Sequence, residues 1–373
     1  MLTSLNDSEK ELISRCVAHP ARKWIPMILN AYAVLNAFLA LLRLLFGVLV
    51  VGIGTKAWLQ GRKSITPERR KALEDRGSLL FLMAFLLLGL NLVSWPLLYL
   101  LLQSYVPEWP GVMCIYGVTQ IGVGSLSSSR FLPELLKILE LTKPLVIFAG
   151  GAWFVLYSIN RRTATAPLRN RVFLGLIFMG FLAAVDAATE GAYLVIPKKE
   201  KFLAAGCCTE AFDGEGRTAK FLPRALLQED ARPILYGAYY GINGALILAL
   251  LVATSWLKVG GQAFFLGLLL LVAILAVPIS ALFLIEIASP ALLHQPYHHC
   301  PYDLVPEVPE SVLAVALFVW ATFSVGWACV AAWFGACEET RPLLPEMIRG
   351  IMMVGFWSYL VSLVMMSLEL ALA

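Results

Sequence analysis

Residues 263–288 read AFFLGLLLLVAILAVPISALFLIEIA, and Glu286 is the single ionisable side chain among them. A helix of that length spans the roughly 30 Å hydrocarbon core of a bilayer, and a helix keeps every backbone amide paired where there is no water. Seven further runs share the property. Membrane spans are predicted near 28–53, 78–102, 144–159, 172–196, 233–257, 263–288, 312–334 and 348–372. The predicted fold is therefore all-α, a polytopic bundle of about eight transmembrane helices occupying residues 28–373. The third run is short, and Lys137, Glu140 and Lys143 stand just before it. Two shapes fit it: one long tilted helix from Leu132 to Ile159, or an interfacial turn followed by a short span.

Composition agrees with this reading. Of 373 residues, 59% are hydrophobic and 14% charged, with a net charge of +4. Soluble domains hold roughly 45–50% apolar and about 25% charged residues. A single soluble globule, a disordered chain, a coiled coil and a nucleic-acid reader are all excluded. The polar segment 1–27 is too polar for a secretory signal, and the span after it too long. Within it Ile13 and Val17, four residues apart, predict a short interfacial helix. The longest connections, 103–143 and 197–232, are too small for a core of their own.

Basic residues set the expected orientation. Connections 54–77, 160–171, 258–262 and 335–347 hold 13 Lys and Arg in 54 positions. Residues 1–27, 103–143, 197–232 and 289–311 hold 14 in 127, less than half the density. The first set is expected in the cytoplasm and both termini outside, in a bacterial inner membrane. Arg161, Arg162, Arg169 and Arg171, which bracket two span ends, argue it best.

With that orientation three outer connections carry cysteine. They are Met113-Cys114, the vicinal pair Cys207-Cys208, and His298-His299-Cys300 with His294 just before it. Three of the chain's four histidines fall within residues 294–299. Thiolate and imidazole together suit zinc, copper or a thiolate-bound iron centre, and thioether sulfur from Met113 or Met365-Met366 tilts the preference toward copper(I). Pro296 and Pro301 hold the His-His-Cys run in an extended or turned shape. Structural disulfides among Cys114, Cys207, Cys208 and Cys300 are the competing reading, with three connectivities open for four cysteines. Thiol redox chemistry is a third. Cys16, Cys329 and Cys337 read as lone thiols.

Ionisable groups also stand inside the spans, where they are costly and usually functional. Arg43 lies mid-way along the first span. Asp186 and Glu190, four apart, share a face of the fourth. Glu286 and Glu369 lie toward the outer ends of the sixth and eighth. A pairing of Arg43 with Asp186 is expected, either as a buried clamp or as the start of a carboxylate track from Asp186 through Glu190, Glu286 and Glu369 to the outer loops. Pro96 and Pro278 predict kinks, and Gly237, Gly241 and Gly244 a close helix contact.

Several chemistries lack their motifs. Gly52-Ile53-Gly54-Thr55-Lys56 does not have phosphate-loop spacing, so no nucleotide is expected. There is no Cys-x-x-Cys-His for covalent c-type haem, no Gly-x-Ser-x-Gly and no His-Glu-x-x-His. Histidines at span ends disfavour a transmembrane haem b. The expected function is a membrane subunit that binds, delivers or transports a soft metal such as copper or zinc, without independent enzymatic activity. The alternatives are an anchor or assembly subunit of a larger respiratory or transport complex, with disulfide-stapled loops, and a thiol–disulfide/quinone redox protein. Expected partners are the lipid bilayer and other membrane or outer-side subunits, and no nucleic acid.

Overall fold

The computed structural model describes residues 30–61, 67–109, 112, 114–123, 128–198, 231–256, 262–296 and 298–373. Met113, Cys16, Cys207, Cys208 and the predicted interfacial helix near Ile13 lie outside the described residues. Among the described residues every regular element is helical. Eight long helices carry apolar windows sufficient to cross a membrane. They are α1 (Ala31–Gly61), α2 (Pro67–Tyr105), α3 (Leu132–Arg161), α4 (Arg169–Val195), α5 (Ala231–Trp256), α6 (Gln262–Phe283), α7 (Pro309–Phe334) and α8 (Leu344–Leu372). Large apolar side chains such as Leu41, Phe178 and Phe264 stand exposed on the outside of the bundle, the arrangement a lipid solvent favours.

The helices pack as two halves. In the first, α4 lies against α1 and α3, and α2 completes the set; in the second, α7 pairs with α8, with α5 and α6 alongside. Close approach is sequence-encoded at two crossings. A Cβ on Gly47 would sit 2.9 Å from the Gly180 carbonyl oxygen, so α1 and α4 meet backbone to backbone. A Cβ on Gly151 would sit 2.2 Å from the Trp327 ring. That space lets the α7 indole lie across α3 and donate its Nε1–H to the Phe148 carbonyl at 2.9 Å, which joins the halves.

Two expectations about the spans, the extent of the third and the glycine face of the fifth, are answered directly by the structure. The third span is the long alternative, one helix from Leu132 to Arg161. Pro96 and Pro278 are carried within helices that continue past them; α6 then passes into a π turn at Leu284–Ala288 and a last turn at Ser289–Leu292. Among the described residues the Gly237–Gly241–Gly244 face does not make the expected contact, since a Cβ at each would meet open space. A small-residue stripe permits an approach without supplying a partner.

Candidate metal centre at one end of the bundle

The end of the bundle where α2 finishes and α3 begins also receives the turn after α6. From α2 the chain passes a 3-10 turn at Val106–Glu108 and reaches a short helix, Ile115–Thr119, whose N-cap is Cys114 in extended backbone. From α6 it reverses at His294, whose φ of 52° places it in the left-handed region, and the amides of His294 and Gln295 close on the carbonyls of Ala291 and Pro290. His298 N–H then bonds the Gln295 carbonyl at 2.9 Å, a turn with Pro296 at the position where a fixed φ helps most. The following residues are pinned from both sides. The Tyr99 hydroxyl of α2 donates to the Tyr302 carbonyl at 3.3 Å, and Tyr116, Tyr302 and Ile285 pack around Cys114 and Cys300.

Two cysteines 186 residues apart therefore meet. Their Sγ atoms are 3.8 Å apart, Cys300 fully buried and Cys114 4% exposed. One Asp303 carboxylate oxygen completes a group in which all three donor atoms lie within 4.8 Å of one another. The other link of Asp303 is to His298, with Nε2 to Oδ2 at 2.6 Å. Burial raises the Asp303 carboxyl above its ordinary value and nearby Cys114 adds to that, while the His298 hydrogen bond pulls it back down. A cleft of about 800 Å³ opens beside the group, and Cys114, Asp303, His298 and His294 all line it.

The predicted ligand set is thus partly redistributed. Cys114 and Cys300 converge as expected. His298 acts on Asp303 instead of standing as a third ligand; in metal sites such a partner fixes the orientation of a ligating carboxylate. His299 is buried, His294 is exposed on the cleft rim, and neither belongs to the donor group. Met366 packs in the apolar cluster of Tyr239 and Phe283 with Met365 against it, so these thioethers serve the core. Asp303 was not read as a ligand. Its signal was present: it follows Cys300 by three residues in the same proline-stiffened turn.

A second polar group lies deeper, on the order of 8–18 Å in from this end by helical rise. Arg43 pairs with Asp186 as predicted, and its Nη2 reaches Glu190 Oε2 at 2.6 Å. Lys143 adds Nζ contacts of 3.2 Å to Asp186 and 2.7 Å to Glu190. Thr142 donates to Asp186 at 2.7 Å, and Asn91 and Ser94 of α2 complete the surroundings of Arg43 and Lys143. All four charges are buried. Asp186 and Glu190 are each bridged by both cations, and the four side chains form a knot tying α1, α3 and α4, with α2 adding Asn91 and Ser94. Glu286 sits half-buried in the π turn and does not line the cleft. Glu369 does line that cleft. Lys143 went unread as a partner, although two acids facing one arginine call for a second cation.

No protein-family model, curated protein or solved structure matches this chain.

Proposed function

We propose that this integral membrane protein binds a soft transition-metal cation, zinc or copper, through Cys114, Cys300 and Asp303 at one end of its bundle. One distance carries the reading. Two thiolates about 2.3 Å from a tetrahedral ion stand about 3.8 Å apart, and the Cys114 and Cys300 sulfurs are separated by 3.8 Å. A disulfide requires about 2.05 Å. Two sulfurs and one carboxylate leave the fourth tetrahedral position to a ligand entering from the cleft, which suits a site that accepts and releases its ion. Because Asp186 and Glu190 are each paired with Arg43 and Lys143, the reading is of capture and delivery at one face and not of a charged path through the bundle.

Orientation belongs to the same proposal. Arg161, Arg162, Arg169 and Arg171 sit at the far ends of α3 and α4 from the cysteines. We place that arginine end in the cytoplasm and the thiol site outside it, in a bacterial inner membrane.

Metal analysis tests the reading. Purified protein exposed to zinc or copper(I) and then desalted is expected to hold about one ion per chain, and Cys114→Ser with Cys300→Ser to hold none. Equal metal in that variant overturns the proposal. So does a metal-free wild type whose peptide map shows Cys114 and Cys300 cross-linked.

A further inference from the structure

The cleft beside the thiols has a one-sided charge pattern. Glu307 comes from the short helix Leu304–Glu307, Glu310 from the first turn of α7 and Glu369 from the last turn of α8. All three line the cleft with Asp303, and among the described residues no lysine or arginine does. The chain between 289 and 311 has no lysine or arginine to balance them; its basic side chains are histidines, and His298 is paired with Asp303.

Helix chemistry accounts for two of these positions. An acid in the first turn of a helix, like Glu307 in its short helix and Glu310 in α7, is favoured by the macrodipole. Glu369 stands at the opposite kind of end, where the dipole disfavours an anion by about 0.3–1 kcal/mol, and the last turn of α8 holds no basic residue to offset it. Facing Glu310 and Asp303 across a shared cleft adds like-charge repulsion. Local stability does not explain an acid placed there. Cys114, almost wholly buried, is reached from this same cleft.

We infer that the cleft is an electrostatic funnel, and that the substrate of the thiol site is a free, hydrated metal cation and not an anionic metal chelate. The inference rests on the metal reading of Cys114, Cys300 and Asp303. Clefts lined by one sign of charge between low-dielectric walls concentrate the opposite ion and raise its association rate by about 10- to 1,000-fold. Glu307, Glu310 and Glu369 act on the rate of arrival, while the sulfurs and Asp303 hold the ion.

Stopped-flow loading of the full-length protein with cobalt(II) chloride, followed by thiolate-to-metal absorption, separates these roles. The variant Glu307→Gln, Glu310→Gln, Glu369→Gln is expected to load at least about ten-fold more slowly at low salt and to reach the same final cobalt content. Wild-type loading is expected to slow steeply from about 10 mM to about 1 M salt, over which the Debye length falls from about 30 Å to about 3 Å. The variant's rate should change little. Adding citrate in excess of cobalt is expected to suppress wild-type loading. Equal rates with equal salt dependence overturn the funnel, as does a variant that never reaches the wild-type cobalt content, since the glutamates are then ligands or structural. A wild type that takes up no cobalt, zinc or copper refutes instead the reading beneath it.

Discussion

Lys198 follows α4 by three residues and lies over the rings of Tyr193 and Tyr105, at 4.5 and 5.5 Å, while donating to the Tyr193 carbonyl at 2.8 Å. Burial lowers its ammonium from the ordinary 10.5 to about 8. Between about pH 8 and 10.5 the folded chain therefore binds fewer protons than the unfolded chain. Stability is expected to rise with pH across that window and to be flat in this contribution below it. Unfolding in detergent followed from pH 7.5 to 10.5 checks this: Lys198→Gln should remove the rise, and a wild type with no rise contradicts it. At this scale the sequence was readable where chemistry clusters and silent where it depends on a distant neighbour. His298, His299 and Cys300 drew attention as a run, yet Asp303 is the residue that joins the two thiols. Its role depends on a backbone turn that carries it back past Cys300.

Among the helices, the buried knot is the feature with the largest energetic stake. Arg43, Lys143, Asp186 and Glu190 cancel in charge. Glu190 Oε1 and Arg43 Nε are nonetheless buried without a hydrogen-bond partner among the described residues, so the arrangement is balanced but not saturated. Removing one partner of a buried ion pair leaves an uncompensated charge and typically costs about 3–5 kcal/mol, whereas replacing both partners is far milder. Lys143→Met is expected to destabilise the protein by about that amount, with Lys143→Met combined with Glu190→Met recovering most of the loss. Unfolding of the two variants side by side decides it, and a double variant no better than the single one contradicts the account. Helix existence was legible where spans such as the sixth and seventh announce themselves by length and apolarity. The full extent of α3 was not. Hydropathy marks Lys143 as a span boundary, while the structure buries it by meeting its charge with Asp186 and Glu190 from α4. The Gly237–Gly241–Gly244 stripe shows the reverse error, since spacing names a face but not what covers it.

For the molecule as a whole, alternation of eight spans returns the connections 103–131 and 289–308 to the same end, and that was readable from span counting alone. Their actual meeting depends on packing invisible in sequence. Gly151 admits Trp327 at the joint between the halves, and Tyr99 and Tyr116 hold the turn that carries Cys300 and Asp303. The whole functional account then reduces to whether two sulfurs and a carboxylate from opposite halves grip one ion. X-ray absorption at the zinc edge of the loaded full-length protein measures that directly. The account predicts two sulfur scatterers per zinc at about 2.3 Å with oxygen or nitrogen completing the shell, and loss of both sulfurs in Cys114→Ser, Cys300→Ser. A shell of oxygen and nitrogen alone in the wild type would contradict it.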